Sequence, residues 1–275
     1  MRQEVMPAKF QPHASQMHFK WAEIRYRTQY AVYSNKPSKP IIKKGRTSMI
    51  ISGLLKTTLL DYPGCVAATV FLGGCNMRCP FCHNSSLIEH PKEAYSTEEF
   101  FTFLQKRKNI LEGICISGGE PTLHPDLPEF IKSIKDYGFP VKLDTNGSNP
   151  SMLHHLIEAK LIDYVAMDVK SAPSHYDWCC GTTVDITDIS KSVNLLKEGH
   201  IPYEFRTTVV SQLHSTDTIK ELGAFLQGAD KLFLQNFVAS AEVQDKTLRP
   251  LPKGTLEEYI NLLKHYVPNT FIRGE

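Results

Sequence analysis

Three cysteines lie within eight residues of the chain, in the stretch GGCNMRCPFCHN. They are Cys75, Cys79 and Cys82, with three and then two residues between them. Thiolates are the protein ligands that iron–sulfur clusters, zinc and Cu(I) prefer. A closed structural site usually takes four ligands, whereas three protein ligands leave a position at which a substrate or cofactor can coordinate. The spacing therefore indicates a metal centre with one open position.

Several kinds of centre use cysteines in this way. A structural zinc site usually pairs one CxxC with a second CxxC or with two histidines. The chain has no second CxxC, and the adjacent Cys179 and Cys180 are poorly spaced for chelating one ion. Residues 79–83 form the CxxCH of haem attachment, but that interpretation gives Cys75 no role. A four-iron cluster bound by three cysteines would leave one iron without a protein ligand.

Short apolar runs alternate with helical patterns from Cys65 onward, which is typical of a parallel sheet covered by helices. Six strands are predicted, at residues 65–74, 113–121 with its closing turn, 141–147, 164–171, 203–210 and 231–237. Helices are predicted over residues 96–108, 127–137, 150–159, 187–198, 216–226 and 255–266, and a loop runs through Cys179 and Cys180. Six strands are too few for a closed eight-stranded barrel, so we expect an open barrel or a doubly wound sheet.

Unusual polar or glycine-rich residues occur at or after the end of every predicted strand. In strand order they are GGCNMRC, SGGEP, DTNG, DVK, Arg206 and QNF. In either architecture ligands bind beyond the C-terminal ends of the strands. We therefore expect all six strand ends to contribute to one site.

The composition is that of a globular protein, with 41% hydrophobic and 22% charged residues. A formal charge of +2 indicates no basic surface for nucleic acid. No apolar run approaches the length of about 18 residues that a membrane span needs. Seven cysteines, an odd number, favour metal or redox chemistry in a reducing cytoplasm over a disulfide framework.

The first 48 residues lack sustained periodicity and end in a basic run that contains proline. Three interpretations remain open: a disordered extension, a transit-like presequence, and translation from a mis-assigned start codon. Met49 opens a well-patterned segment, so the predicted domain comprises residues 49–275.

Two motifs together resemble the signature of the radical S-adenosylmethionine enzymes. One is CxxxCxxC with an aromatic residue before its last cysteine, and the other is GGEP at residues 118–121. The resemblance extends from about Ile50 to the C-terminus and implies a partial (β/α)6 TIM-like open barrel. It also implies a [4Fe-4S] cluster whose open iron is chelated by the amino and carboxylate groups of S-adenosylmethionine. One electron from the reduced cluster would cleave that cofactor into methionine and a 5′-deoxyadenosyl radical.

The resemblance also implies which residues contact S-adenosylmethionine. They are Phe81, Gly118, Gly119, Glu120, Asp144, Asp168, Lys170, Arg206 and Asn236. The GGE motif of the family receives the methionine amino group, and the two aspartates with Lys170 resemble contacts to the methionine part or to a monovalent cation. Arg206 is expected at the ribose or carboxylate, and residues 235–237 and the Phe81 backbone at the adenine. No acid–base residue is required, because the radical transfers the hydrogen atom.

A narrower resemblance concerns the partner. Cys82-His83-Asn84 resembles the CHN of the glycyl-radical-enzyme activases, and residues 59–87, which include DYPG, look close to the activating proteins of anaerobic ribonucleoside-triphosphate reductase. The implied partners are that glycyl radical enzyme and a flavodoxin or ferredoxin-like electron donor. Three alternatives remain: a pyruvate formate-lyase-type activase, a small-molecule enzyme resembling 7-carboxy-7-deazaguanine synthase, and a non-catalytic zinc or iron–sulfur module.

Some of these residues also have simpler interpretations. Cys65 and Cys115 lie in apolar runs, where buried structural thiols are expected. Cys179 and Cys180 are either structural or serve an auxiliary redox or cluster role. Asp144 has a turn-forming alternative, because Asp-Thr-Asn-Gly is favourable turn chemistry. For Arg206 the alternative is an ion pair within the barrel, and His124 is expected to be structural.

Overall fold

A computed structural model describes residues 49–89 and 91–274 of the protein. The predictions made for residues 1–48 lie outside the described residues, and the domain boundary at Met49 stays a prediction.

The described residues form one eight-stranded sheet in which each strand pairs with its neighbours in chain order. The strands are β1 (Ile51–Thr58), β2 (Ala67–Leu72), β3 (Gly113–Gly118), β4 (Val141–Thr145), β5 (Tyr164–Asp168), β6 (Tyr203–Val209), β7 (Leu232–Asn236) and β8 (Thr270–Arg273). β1 runs antiparallel to β2, and every pair from β2 to β8 is parallel. Within the described residues β1 and β8 are the two ends of the sheet, so the sheet is open.

Helices connect the parallel strands. They are α1 (Ser86–Glu89), α2 (Thr97–Arg107), α3 (Leu127–Asp136), α4 (Pro150–Glu158), α5 (Tyr176–Cys180), α6 (Ile186–Lys197), α7 (Thr216–Phe225) and α8 (Lys253–Leu263), with 3-10 turns at Pro121–Leu123 and Pro173–His175. Ser96 and Glu99 form a capping box at the start of α2, which satisfies backbone N–H groups that lack a helical partner. None of the helices in the described ranges is long and apolar enough to cross a membrane.

The predicted α/β open sheet is confirmed, and the six predicted strands are present as β2 to β7. The sheet has two further strands, because β1 adds an antiparallel edge and the four-residue β8 is too short to stand out as an apolar run. The loop predicted through Cys179 and Cys180 is wrong. These residues end the five-residue helix α5, which is too short to show helical periodicity.

The core lies between the sheet and its helices. Val70, Ile116 and Val165 on the strands have no exposed surface, and they belong to the same cluster of buried side chains as Phe100 and Ile131 on the helices. This continuous burial explains the near-continuous apolar runs of the strand sequences. Two thiols were expected to be buried. Cys115 is buried, whereas Cys65, at the start of its segment, is only half-buried.

The DYPG segment lies at the N-terminal end of the strands. The side chain of Tyr62 is 6% exposed. Its ring packs against Gly113, where an added Cβ would meet ring carbons at 2.9 Å. It also lies 6.2 Å from the ring of Tyr164, centroid to centroid. Gly113 and Tyr164 are the first residues of β3 and β5, so this segment covers the end of the sheet that is remote from the predicted site.

Candidate active site

A cavity of about 270 Å³ lies at the C-terminal ends of the strands. It is lined by Cys75, Met77, Cys79, Phe81, Cys82, His83, Asn84, Ile88, Ser117, Gly118, Gly119, Asp144, Thr145, Asn146, Asp168, Lys170, Arg206, Thr208 and Gln235. The lining includes the three cysteines and all the predicted cofactor contacts except Glu120 and Asn236. The strand ends therefore do converge on one cavity.

The cluster loop, residues 73–84, carries the three thiols immediately after β2. The N–H of Met77 donates to Sγ of Cys75 over 3.4 Å, and the N–H of Asn84 donates to Sγ of Cys82 over the same distance. Such N–H groups stabilise a thiolate, which is the form that binds a metal. The local backbone of the loop is thus arranged around its sulfur atoms.

The environments of the three thiols differ. Burial raises the pKa of Cys75 to about 11, and the backbone N–H of Met77 opposes that shift only in part. Burial likewise raises the pKa of Cys82. For Cys79, a hydrogen bond from the side chain of Cys180 outweighs burial and lowers the pKa to about 7. The pKa of Cys79 is thus shifted in the opposite direction from those of Cys75 and Cys82.

The glycine turn at the end of β3 lies directly on the cluster loop. Gly119 donates to the carbonyl of Leu72 over 2.9 Å, and Glu120 donates to the carbonyl of Gly74 over 2.8 Å. A Cβ atom on Gly119 would lie 1.9 Å from the oxygen of Gly74, so this close approach requires glycine. His124, expected to be structural, holds the same loop, since its Nε2 lies 3.0 Å from the carbonyl oxygen of Gly73.

The carboxylate of Glu120 is buried and does not line the cavity. It accepts hydrogen bonds from the N–H and hydroxyl of Thr122, the hydroxyl of Thr145 and the N–H of Asn146. Burial raises its pKa, although these donors oppose the shift. The Glu120 side chain therefore ties the turn after β3 to the turn after β4, and contact between this residue and a cofactor stays a prediction.

Charged side chains from β4, the β5 end and β6 form an ionic row along the cavity. Its members are Lys142, Asp144, Asp168, Lys170 and Arg206. Arg206 bridges two strands, with its Nε 2.8 Å from Asp168 and its Nη1 3.3 Å from Asp144. Asp168 also accepts from Lys170 over 3.3 Å. The row exists because Asp168 and Arg206 are register partners in neighbouring parallel strands.

Lys142 is the member of the row that was not predicted from the sequence. Its side chain is 1% exposed, and its ammonium group pairs with Asp144 and lies 3.8 Å from Sγ of Cys115. A lysine in the middle of the apolar strand sequence VKLDT was the available signal, because a buried lysine needs a partner of opposite charge. Ser117 and Thr208 line the cavity and were also missed; the hydroxyl of Ser117 donates to Asp144 over 3.1 Å.

Opposite charges control ionisation in this row. Burial alone would raise the pKa of Asp144, but the charges of Arg206 and Lys142 outweigh it and hold the pKa below its usual value. The pKa of Asp168 is lowered in the same way, against burial, by Arg206 and Lys170. Asp144 is a strand residue paired with Ala166, so its turn-forming alternative is wrong. The ion-pair alternative for Arg206 is correct, and it is compatible with a contact to a ligand.

The adenine-side predictions have a mixed outcome. Phe81 lines the cavity and packs in a buried apolar group with Phe237 and Val210. The side chain of Asn236 instead exchanges two hydrogen bonds with the backbone of Leu251, at 3.0 and 2.9 Å, and its neighbour Gln235 lines the cavity. Adenine contacts at these positions stay predictions.

The donor set fits an iron–sulfur cluster. Three soft thiols share one cavity, and two of them, Cys75 and Cys82, receive backbone N–H hydrogen bonds at their sulfur atoms. In the described part of the chain no three His, Cys, Asp or Glu side chains converge closely enough to hold a single metal ion.

Known proteins with similar sequences and folds identify the family. The family model described as the radical SAM superfamily matches residues 69–227. A Methanocaldococcus jannaschii protein, provisionally named a glycyl-radical enzyme activating enzyme, is 35% identical over 231 residues, which are 82% of this chain and 95% of the relative. The pyruvate formate-lyase-activating enzyme of Clostridium pasteurianum is 32% identical over 119 residues, 41% of this chain and 48% of that enzyme.

A solved structure shares the fold. Streptococcus suis SuiB bound to S-adenosylmethionine has a TM-score of 0.58 at 17% identity, over 73% of this chain and 48% of SuiB. The chain thus spans about half the length of that protein. Together with the matched residues, which include the three thiols and the ends of β2 to β6, the relatives place the chain in a defined family. It belongs to the radical SAM superfamily, among the glycyl-radical enzyme activating enzymes, and is a radical SAM enzyme whose cofactors are a [4Fe-4S] cluster and S-adenosylmethionine.

Proposed function

We propose that this enzyme removes a hydrogen atom from the Cα of one glycine in anaerobic ribonucleoside-triphosphate reductase and so activates that protein. The observation that carries the proposal is the cavity in which the cluster loop meets the ionic row. The choice of reductase rests on the resemblance of residues 59–87 to the activating proteins of that reductase.

Cys75, Cys79 and Cys82 would hold three irons of the cluster. When bound, the cluster and S-adenosylmethionine supply the electron transfer that gives methionine and a 5′-deoxyadenosyl radical. The chain's own contribution is to orient the bound groups and to exclude water from them. The N–H groups of Met77 and Asn84 already point at two of the sulfur atoms and would remain in place beside their iron-bound form.

The ionic row suits the carboxylate of the methionine part. Three cationic and two anionic side chains leave one positive charge in excess. Lys170 is 19% exposed and Arg206 17% exposed, and both line the cavity. A carboxylate docked there would complete the charge balance without burying an unpaired ion. Since Asp144 and Asp168 are already paired with protein cations, a monovalent cation is an optional addition in this proposal.

The glycine turn suits the ammonium group of the methionine part. Gly118 and Gly119 both line the cavity. Their lack of side chains allows a ligand to approach the backbone closely, and carbonyl oxygen atoms accept hydrogen bonds from an ammonium group. The glycine turn after β3 would then bind the amino group of the ligand, and the ionic row on β4 to β6 would bind its carboxylate group.

Two motifs resemble those of the glycyl-radical-enzyme activases, and of these CHN lies at the site whereas DYPG does not. The Nε2 of His83 lies 2.7 Å from the carbonyl oxygen of Val238, and its ring stacks on Phe237. His83 thereby links the cluster loop to the segment after β7. DYPG lies at the N-terminal end of the strands, where it supports the sheet, so a direct contact of DYPG with the target glycine is not part of the proposal.

The first experiment tests the cofactor chemistry. The protein is reconstituted anaerobically with iron and sulfide, reduced with dithionite in the presence of S-adenosylmethionine, and assayed for 5′-deoxyadenosine. We expect product from the wild type and none from Cys79→Ala. A reconstituted four-iron protein that yields no 5′-deoxyadenosine, beside an active control enzyme, would contradict the proposal.

The second experiment tests the partner. Anaerobic ribonucleoside-triphosphate reductase or pyruvate formate-lyase is added to the reconstituted enzyme, and a glycyl radical is sought by electron paramagnetic resonance. We expect the radical on the reductase, with flavodoxin or a ferredoxin as the electron donor in a cytoplasmic setting. A radical on pyruvate formate-lyase alone would favour the alternative activase. S-adenosylmethionine cleavage with neither partner activated would favour a small-molecule substrate.

A further inference from the structure

The vicinal cysteines of α5 have different environments. The side chain of Cys180 has no exposed surface and belongs to the larger buried group, against which Cys79 packs. Sγ of Cys179 lies 4.0 Å from the carbonyl oxygen of Leu213 and belongs to a second buried group, against which Cys79 also packs. The backbone of Cys180 is hydrogen-bonded to the residue that precedes Cys79, so Cys180 is the thiol that we pair with Cys79.

Two backbone contacts fix this arrangement. The N–H of Arg78 donates to the carbonyl of Cys180 over 2.7 Å. Gly181 ends α5 with φ +62°, and a Cβ atom there would lie 2.2 Å from the carbonyl oxygen of Arg78. The end of α5 thus lies directly against the residue that precedes Cys79. These backbone contacts bring Cys180 close to Cys79 in the folded chain.

We propose that Cys79 and Cys180 form a reversible disulfide in the cluster-free protein and that this bond closes the cluster site until it is reduced. The consequence for loading rests on the proposed role of Cys79 as a cluster ligand. Formation of the bond removes one of three thiol ligands, which leaves too few to hold a four-iron cluster. Nothing in the cofactor chemistry uses Cys180, so its position beside Cys79 otherwise has no assigned role.

The oxidant in this step is a low-molecular-weight disulfide. Cys79 lines the cavity whereas Cys180 is buried, so the Cys79 thiolate attacks first, forming a mixed disulfide and releasing one small thiol. The Cys180 sulfur then attacks the Cys79 sulfur and releases the second small thiol. The two protein thiols lose two electrons and two protons in total, and the small disulfide becomes two thiols. The bond also protects Cys79 from irreversible oxidation to the sulfinic and sulfonic acids.

Disulfide mapping of the cluster-free full chain tests the pairing. The reduced protein is treated anaerobically with hydroxyethyl disulfide, its remaining thiols are alkylated, and it is digested without reductant for mass spectrometry. We expect the Cys79–Cys180 peptide pair as the main intramolecular product in the wild type and in the matched control Cys179→Ser. The pair should be lost in Cys180→Ser and in Cys180→Ala, with circular dichroism confirming that these variants fold. A main product joining Cys79 to Cys75 or Cys82, or mixed disulfide alone, overturns the proposal.

Iron uptake tests the consequence. We expect the oxidised wild type to bind iron and sulfide only after dithiothreitol is added. The Cys180→Ser variant is oxidised in the same way and then freed of mixed disulfide by a limiting monothiol. We expect this variant to bind iron and sulfide without dithiothreitol. Loading of the mapped, oxidised wild type at the rate of the reduced protein overturns the gating role. A failure of the proposed function would look different: loaded protein would not cleave S-adenosylmethionine, while the disulfide map stayed the same.

Discussion

The cluster loop and the ionic row share one cavity but are held by different means. A backbone hydrogen bond from Glu120 to Gly74 ties the loop to the glycine turn, and backbone N–H groups reach two of its sulfur atoms. The ionic row depends on side chains of different strands, which meet because Asp168 and Arg206 are register partners. Ligand positions in the loop therefore follow from short sequence spacing, whereas those in the row follow from strand pairing.

Apart from Cys79, whose pKa is lowered, the two regions also shift the pKa values of their buried acids in opposite directions. Burial raises the pKa of Cys75 in the loop and of Glu120 beside it, since their hydrogen-bond donors compensate burial only in part. In the row, nearby cations outweigh burial and lower the pKa of Asp144 and Asp168. The loop side thus gains from a bound cationic metal centre, whereas the row retains its anions without any added ion.

The largest expected effect is on the cluster loop. Cys79→Ala removes one of three predicted ligands, so we expect the iron chromophore and 5′-deoxyadenosine formation to be lost after reconstitution. Absorption spectroscopy, iron analysis and product chromatography measure the change. Cys65→Ala is the matched control, because Cys65 lies outside the cavity lining and should leave both unchanged. A Cys79→Ala protein with a full chromophore would show that the cluster is bound by other residues.

Removal of the central cation of the ionic row is the next largest change. Arg206→Met leaves Asp144 and Asp168 without the guanidinium that bridges them. The free energy of unfolding should fall by about 3 kcal/mol, the lower end for a broken buried pair because Arg206 is 17% exposed.

Affinity for S-adenosylmethionine should fall as well, since the variant lacks the excess positive charge of the row. Urea unfolding and equilibrium binding to the reconstituted protein measure the two effects. The control is Lys191→Met, which removes an exposed ion pair of α6 and should change little. Unchanged cofactor affinity in Arg206→Met would show that the row does not hold the carboxylate.

A smaller effect concerns the close approach of the glycine turn to the loop. Gly119→Ala would place a methyl group on the carbonyl oxygen of Gly74, so we expect a loss of about 1–3 kcal/mol in the free energy of unfolding. Gly254→Ala is the control, because an added Cβ there meets open space; it should change stability by less than about 1 kcal/mol. Equal losses in the two variants would mean that the contact between turn and loop does not limit stability.

The smallest expected effect is on the pH dependence of stability. Asp144 and Asp168 have lowered pKa values, so their contribution is present above the unfolded value of about 4 and is lost as the pH falls toward the folded value. Glu120 has a raised pKa, so its contribution is present below the unfolded value and is lost as the pH rises through the folded one.

Urea unfolding between pH 3 and pH 7 separates the two signs. Compared with the wild type, Arg206→Met should lose less stability on acidification, because its aspartates no longer gain from the guanidinium. Glu120→Gln should lose more, because it lacks a group that gains a proton favourably in the folded protein. If the two variants changed the slope in the same direction, the electrostatic contrast between the regions would be wrong.

Most of the fold and the thiol site could be predicted from local sequence. Strand runs such as residues 113–118 and the Ser96 capping signal were readable because each depends on adjacent residues. β8 and α5 were not, since four or five residues are too few to display a period. Contacts of Glu120 and Asn236 with the cofactor stay predictions; their side chains accept hydrogen bonds from Thr145 and Leu251, which only tertiary packing could reveal.

The sequence by itself determined the three thiols, the glycine turn and the alternation of strands and helices, because each depends only on residues that are close together in the chain. Only the tertiary structure decided that Lys142 belongs to the ionic row and that the end of α5 at Cys180 lies against the residue that precedes Cys79. These contacts join residues that are distant or ambiguous in sequence. They form because the register of parallel strands and the approach of α5 to the cluster loop bring particular side chains together.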